Sequence, residues 1–166
     1  DGHHRAASAA RARAEMQERR LASAPLGDGA DGATFLAVAF PDNRVQILPY
    51  NRIVKDLGGL SRDDFLQAVR GRFELEKGPA TPVRRGDIAM YFQGSWHTLR
   101  ARVPPNRADA IASLDVSVLQ DGLLAPVLKI ADVRTDTRIE FVGGARGTAA
   151  LERLVDSGRA AVAFSL

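Results

Sequence analysis

The chain has 166 residues, of which 45% are apolar and 26% are charged. This balance is typical of a globular protein, and the length is sufficient for one ordinary domain with its own core. The sequence contains no cysteine, which excludes a disulfide framework and a cysteine-ligated metal site. No apolar run approaches the roughly 20 residues that a membrane-spanning helix needs. We therefore expect a single cytoplasmic domain over residues 1–166, without membrane contact.

The formal net charge is +3 at pH 7, and much of the arginine excess falls within residues 5–20. The ordinary interpretation of such a run is a solvated helix face. A nucleic-acid surface would need arginines clustered on one face together with aromatic stacking partners, and this stretch has no aromatic residue. Binding to nucleic acid is therefore not expected.

Residues 5–24 are predicted to form one long helix, because alanine, arginine, glutamate, methionine and glutamine are strong helix formers. Glu15 and Arg19 have the i,i+4 spacing of a stabilising ion pair. Pro25 and the Gly/Asp-rich stretch after it end the helix.

The next segments indicate a hairpin followed by helices. Residues 34–40 read as a buried strand and residues 44–50 as its return strand, around a Pro-Asp-Asn turn. A short helix is predicted over 51–57. Ser61 is a good N-cap for a further helix that reaches about Arg72.

The rest of the chain alternates the same element types. The predicted segments are a strand over 73–77, a hairpin of 88–93 with 96–103, an apolar helix over 108–130 that Pro126 kinks or splits, a strand over 138–144, a helix over 148–157 and a buried strand over 160–166. This order predicts an α+β fold with a mixed, mostly antiparallel sheet containing hairpins. Helices pack on its face or faces, and the fold starts with a long N-terminal helix.

The segment Asp1-Gly2-His3-His4-Arg5 stands directly before the first helix. Free backbone N–H groups and the partial positive charge of a helix N-terminus attract anions, and an arginine adds a bidentate donor. The segment is therefore a candidate phosphate cradle, with Asp1 as a Mg²⁺ ligand or base and with His3 and His4 as further catalytic candidates. The alternative is that the histidines are surface residues or the remnant of an expression tag.

Gly143 and Gly144 form a second candidate, because a strand, a Gly-rich turn and a helix can hold a phosphate on backbone N–H groups. The segment matches neither the Walker pattern nor the dinucleotide fingerprint. A tight turn into a helix explains the glycines as well.

Two further arginines are candidate ligand-binding residues. Arg52 could bind an anionic substrate group, although pairing with a local carboxylate such as Asp56 is the ordinary alternative. Asp136 and Arg138 either reach a site or pair with each other.

The predicted apolar helix carries Asp115 together with Ser117 and Gln120. A carboxylate beside a hydrophobic stripe is either a cap of the helix start or a site group, and capping is favoured here. Three histidines without cysteine make a structural zinc site improbable, and no haem is expected.

Several segments in a fixed order resemble the bacterial and archaeal family called domain of unknown function 1015. They are DGHHR before a helix, ILPYNRIV, LDVSVLQDGLLAPVL, TDTRIEFVGG and AVAFSL. The resemblance covers nearly the whole chain and implies that the chain is the C-terminal part of a longer protein. Asn51 stands where the family usually has histidine, and Gln120 where it often has one. If those histidines are catalytic in the family, this member is altered.

The DGHHR segment also resembles the phosphate-binding motif shared by sulfiredoxin, ParB-type nucleotide hydrolases and free-serine kinases. This resemblance implies that Gly2 forms the turn and that His4 and Arg5 contact phosphates. His3 stands where sulfiredoxin has its reactive cysteine, so the chemistry of sulfiredoxin is not expected.

Together the resemblances imply a phosphotransferase or nucleotide hydrolase that acts on a small metabolite. ATP and Mg²⁺ would be its cofactors, and Arg52 or Arg138 would orient the acceptor. The alternatives are a non-catalytic module that responds to nucleotide or nucleic acid, and a scaffold or homodimerisation domain.

Overall fold

A computed structural model of the chain describes residues 3–22, 36–46, 48–106 and 108–166. The chain divides into two units, residues 1–46 and residues 47–166, and each is described by itself. No helix in the described ranges is long and apolar enough to cross a membrane.

The first unit contains the long helix α1 (His3–Ala22). This confirms the predicted N-terminal helix, with a start two residues earlier than the sequence suggested. The predicted pair is also present, since Nη2 of Arg19 lies 2.6 Å from Oε1 of Glu15. A 3-10 turn over Asp42–Arg44 follows at the position of the predicted turn.

The described residues of the second unit form a six-stranded sheet with the order β2-β4-β3-β6-β1-β5, in which every pairing is antiparallel. The strands are β1 (Tyr50–Val54), β2 (Phe73–Lys77), β3 (Asp87–Phe92), β4 (Ser95–Ala101), β5 (Ile139–Gly143) and β6 (Val162–Ser165). The predicted α+β class is confirmed. The hairpin of β3 and β4 turns at Gln93 and Gly94, both with positive φ, as two-residue hairpin turns of the I′ type require.

Helices cover both faces of this sheet. Helices α2 (Arg62–Arg72) and α3 (Asp115–Leu119) share one core cluster with alternate strand residues such as Val54. Helix α4 (Thr148–Asp156) belongs to a second cluster with the intervening residues, such as Ile53. Successive strand residues point to opposite faces, so these two clusters lie on opposite sides of the sheet.

The predicted hairpin of residues 34–40 with 44–50 is wrong. Residues 36–40 are exposed and form no strand, while residues 34, 35 and 47 lie outside the described ranges. The strand is β1 instead, and it occupies most of the predicted helix over 51–57. Strand β1 lies between β5 and β6, so its backbone forms hydrogen bonds with a neighbouring strand on both sides. The same position buries both Ile53 and Val54. Tertiary pairing thus overrides the local pattern.

The predicted helix over 108–130 is also much shorter than expected. After α3 the chain continues as a π-helical segment over Gln120–Leu124, in which Ala125 N–H donates to the Gln120 carbonyl at 2.9 Å. A Cβ on Gly122 would lie 2.6 Å from Cζ of Phe73, so the absence of a side chain lets that ring pack against the helix backbone. Pro126, which lacks an N–H, follows one residue beyond this segment, after Ala125. Wide turns of this kind occur frequently at functional sites.

Candidate functional site

Arg52 lies in the middle of β1, on the face covered by α3 and the π-helical segment. It is 8% exposed. Its Nη1 donates to the Tyr50 carbonyl at 3.0 Å, and its guanidinium carbon lies 5.3 Å from the ring centroid of Phe141, its partner across the strand pair. One backbone carbonyl and one aromatic ring therefore hold the guanidinium in place.

The charge of Arg52 has no carboxylate partner in the described part of the chain. Asp56, which the sequence offered as that partner, lies 3.6 Å from Nη1 of Arg138 instead. Burial lowers the pKa of Arg52, because removal from water disfavours the charged form. A buried charge without a counter-ion is costly, so an anion at this position would stabilise the fold.

A cavity of about 310 Å³ lies beside Arg52. Its other walls come from α3, the π-helical segment and the chain that follows it: Val116, Ser117, Gln120, Asp121, Ala131, Asp132 and Val133. The volume is at the lower end of the range for small-molecule sites, about 300–1,000 Å³. The cavity thus suits a small ligand.

Gln120 has a side-chain oxygen without a partner. Its Nε2 donates to the carbonyls of Ile130 at 2.9 Å and Ala131 at 3.2 Å, which fixes the orientation of the amide. Its Oε1 is buried and has no hydrogen-bond partner among the described residues. Buried polar atoms are nearly always partnered, so this exception at the cavity wall is a candidate acceptor.

Asn51 shows the same feature on the other side of the sheet. It is 2% exposed, and its Oδ1 is buried without a partner in the described ranges. Because neighbouring strand residues face opposite ways, Asn51 points away from the Arg52 cavity. The two positions that differ from the resembled family are thus both amides with unpartnered oxygens, but the fold keeps them on different faces.

Asp136 and Arg138 pair with each other. Nη2 of Arg138 lies 2.7 Å from Oδ2 of Asp136, and these hydrogen bonds lower the pKa of Asp136. Arg138 also donates to the carbonyls of Leu128 at 3.0 Å and Lys129 at 3.1 Å. The pairing that the sequence left open is present, and a ligand-binding role for these residues stays a prediction.

Position 144 requires glycine because its backbone approaches the backbone of Pro49 too closely for a side chain. Its N–H donates to the Pro49 carbonyl at 2.7 Å, and a Cβ on Gly144 would lie 2.6 Å from the same oxygen. Gly143 ends β5, and a Cβ there would meet nothing within 4 Å. Packing therefore accounts for Gly144, while phosphate binding by the two glycines stays a prediction.

The N-terminal candidates are described in part. His3 begins α1, and His4 and Arg5 follow in its first turn with exposed side chains. Asp1 and Gly2 lie outside the described residues. Phosphate binding and catalysis by this segment stay predictions.

Asp115 does not cap α3, contrary to expectation. Leu114 is the N-cap residue, and the Asp115 carboxylate accepts a hydrogen bond from Gly86 N–H at 3.0 Å. Burial raises its pKa. Across the described ranges, no group of three or more His, Cys, Asp or Glu residues could hold a metal ion.

The sequence indicates Arg52 as one candidate, and Ser117 and Gln120 together with Asp115 as another. It does not indicate the wall formed by residues 131–133. A polar residue inside an apolar helical run was the available signal for Gln120. No local signal marks Ala131 or Val133, because they are ordinary apolar residues that the fold brings beside Arg52.

No curated protein and no solved structure matches the chain. The family described as "Protein of unknown function (DUF1015)" matches residues 1–117, which is more than half of the chain and includes Arg52 and Ser117. The resemblance to this family is thereby confirmed over residues 1–117, whereas the comparisons give no support to the ParB and sulfiredoxin-like superfamily. The chain belongs to the DUF1015 family of proteins of unknown function.

Proposed function

We propose that residues 47–166 bind a small ligand with one carboxylate or phosphate group in the cavity beside Arg52. The observation that carries this proposal is the guanidinium of Arg52, which is buried, lines the cavity and has no carboxylate partner in the described ranges. A planar guanidinium binds carboxylate and phosphate through paired hydrogen bonds. The Ser117 hydroxyl and the Gln120 amide add uncharged polar groups to the same walls.

The two carboxylates that line the cavity do not cancel this preference. Hydrogen bonds from Arg134 hold the pKa of Asp132 at about 2, and Nη2 of Arg134 lies 2.9 Å from Oδ2, so this carboxylate has its own counter-ion. Asp121 is exposed, and water screens its charge. The charge of Arg52 therefore stays available to a ligand with one anionic group.

The test compares the thermal unfolding of the wild type, Arg52→Met and Arg153→Met with and without inorganic phosphate or acetate. Arg153 is an exposed arginine on α4 that does not line this cavity, so it is the matched control. A ligand at 100 times its Kd stabilises the folded state by about 2.7 kcal/mol. We expect this response in the wild type and Arg153→Met and its loss in Arg52→Met. An equal response in all three proteins would contradict the proposal.

A finer proposal is phosphotransfer or nucleotide hydrolysis on a small metabolite, with ATP and Mg²⁺. It is supported by the resemblance of the DGHHR segment, in which Gly2, His4 and Arg5 would bind phosphates and Asp1, His3 and His4 would act in catalysis. The described residues offer no cluster of three or more metal ligands. In this proposal Asp1 would hold Mg²⁺ together with phosphate oxygens, an arrangement that is usual for nucleotide-bound Mg²⁺.

This finer proposal is tested on the full chain with ATP, Mg²⁺ and a panel of amino acids, with ADP and AMP as the readout. Arg5→Ala should lose turnover, whereas Arg11→Ala, further along the same exposed helix, should retain it. Nucleotide binding without turnover would favour the alternative, a non-catalytic binding module. Absence of both turnover and calorimetric binding would refute the nucleotide proposal and leave the Arg52 proposal to its own test.

A further inference from the structure

A second and larger cavity of about 880 Å³ lies between α2, the chain that follows β4 and the π-helical segment. Its walls are mainly apolar and include Leu60, Ala68, Phe73, Val103, Val118 and Val127. The volume lies inside the range of small-molecule sites, about 300–1,000 Å³. It shares only Asp121 with the lining of the Arg52 cavity, so it is a different site.

Cationic groups outnumber carboxylates around this cavity. Arg72, Arg102 and Lys129 line it, and Asp121 is the one acidic residue among the described lining residues. Nε of Arg102 donates to the Arg70 carbonyl at 2.8 Å. A hydrogen bond to a neutral backbone carbonyl orients a cation but does not neutralise its charge.

Lys129 is held in the same way, since its Nζ donates to the Pro126 carbonyl at 2.9 Å. In the described part of the chain, none of the three cations has a carboxylate within ion-pair distance. The cavity therefore combines apolar walls with uncompensated positive charge, which is complementary to a molecule with an apolar body and one anionic end.

We propose that this cavity binds an amphipathic monoanion, such as a medium-chain fatty acid. The apolar chain would be buried against the walls, since burial of each methylene group is favourable. The carboxylate would be attracted to the cations at the lining. This proposal does not depend on the function proposed for the Arg52 cavity.

Gly71 offers a way to block the cavity without disturbing the fold. It lies in α2 and lines the cavity, and a Cβ built on it meets no heavy atom within 4 Å. A larger side chain would therefore extend into open space. Replacing glycine inside a helix also favours helix formation, so Gly71→Leu should fold.

The experiment measures binding of the fluorescent probe anilinonaphthalene sulfonate, an apolar ring system with one sulfonate, and its displacement by dodecanoate. Arg72→Glu is compared with Arg70→Glu, because both side chains are exposed in the last turn of α2 and only Arg72 lines the cavity. Gly71→Leu is compared with Gln67→Leu, which adds the same side chain at an exposed position of α2 outside the lining.

The wild type should bind the probe saturably, and dodecanoate should displace it. Arg72→Glu should weaken binding about fivefold, as expected for the reversal of one charge at an exposed rim. Gly71→Leu should abolish binding, whereas Arg70→Glu and Gln67→Leu should bind as the wild type does. Urea unfolding of every variant confirms that it is folded.

The proposal would be overturned by equal weakening in Arg70→Glu and Arg72→Glu, by normal binding in Gly71→Leu, or by displacement with dodecanol that is as effective as displacement with dodecanoate. Arg52→Met should leave probe binding unchanged. Loss of binding in Arg52→Met would show that the probe occupies the other cavity, and this also contradicts the proposal.

Discussion

Replacing Arg52 by methionine separates a ligand-binding role from a structural one. The substitution keeps an unbranched apolar stem and removes the buried guanidinium. The losses are the hydrogen bond to the Tyr50 carbonyl at 3.0 Å and the contact over the Phe141 ring at 5.3 Å. A hydrogen bond from a charged group contributes about 1.5–3 kcal/mol, and a desolvated cation–π contact adds about 1–2 kcal/mol.

These losses are offset by relief of the unpaired buried charge, whose desolvation costs several kcal/mol. We therefore expect the free energy of unfolding of Arg52→Met to lie within about 1 kcal/mol of the wild type in buffer without anions. Arg138→Met gives the contrast, because it leaves Asp136 without its partner. That change also removes the hydrogen bonds from Arg138 to the carbonyls of Leu128 and Lys129, so it should lower the free energy of unfolding by clearly more than Arg52→Met does.

Urea unfolding followed by the fluorescence of Trp96, the single tryptophan, measures both effects. Nε1 of Trp96 donates to Oε1 of Glu152 at 2.7 Å, so its environment reports the packing of β4 against α4. For m-values of about 1–3 kcal/mol/M, a loss of about 3 kcal/mol lowers the midpoint by about 1 M or more. Arg52→Met should shift the midpoint by much less.

A loss of about 3 kcal/mol or more in Arg52→Met without anions would refute this reasoning. It would show that the guanidinium stabilises the fold through its two intramolecular contacts. The unpaired charge would then be no argument for a ligand.

Two further predictions concern buried positions of the same unit. Asp87→Asn should cost about 3 kcal/mol, because the carboxylate is buried and accepts from Arg100 at 2.8 Å. Although burial raises it, the hydrogen bonds from arginine hold the pKa of Asp87 below its ordinary value of about 3.9. Its contribution is therefore complete above about pH 4 and is lost as the pH falls through the folded-state pKa. Urea midpoints that fall equally with pH in the wild type and Asp87→Asn would contradict this. Gly144→Ala should cost about 1–3 kcal/mol because its Cβ would overlap the Pro49 carbonyl, whereas Gly143→Ala should change the free energy of unfolding by about 0.5 kcal/mol or less. Equal urea midpoints for the two alanine variants would show that the close approach has no energetic weight.

The sequence by itself determined the elements whose signals are local. Helix α2 was predicted from its Ser61 cap, and Ser61 Oγ accepts from Asp64 N–H at 3.1 Å. The hairpin of β3 and β4 was predicted from two strand-like runs joined by a turn at Gly94 and Ser95. Helix α1 was predicted from a run of strong helix formers. Each of these depends on neighbours within a few residues, and this is why reading the chain in order was sufficient.

Tertiary structure decided the strand β1 and the site beside it. Asn51 is a poor strand residue by local preference, but pairing with β5 and β6 satisfies the backbone of this segment. The sequence could name Arg52 and Gln120 as polar candidates, and it offered Asp56 as the alternative partner of Arg52 because the two are close in the chain. Whether a buried charge finds a carboxylate depends on which distant segments the fold brings within a few ångströms. In the folded chain Asp56 forms an ion pair with Arg138, and Arg52 lies beside a cavity.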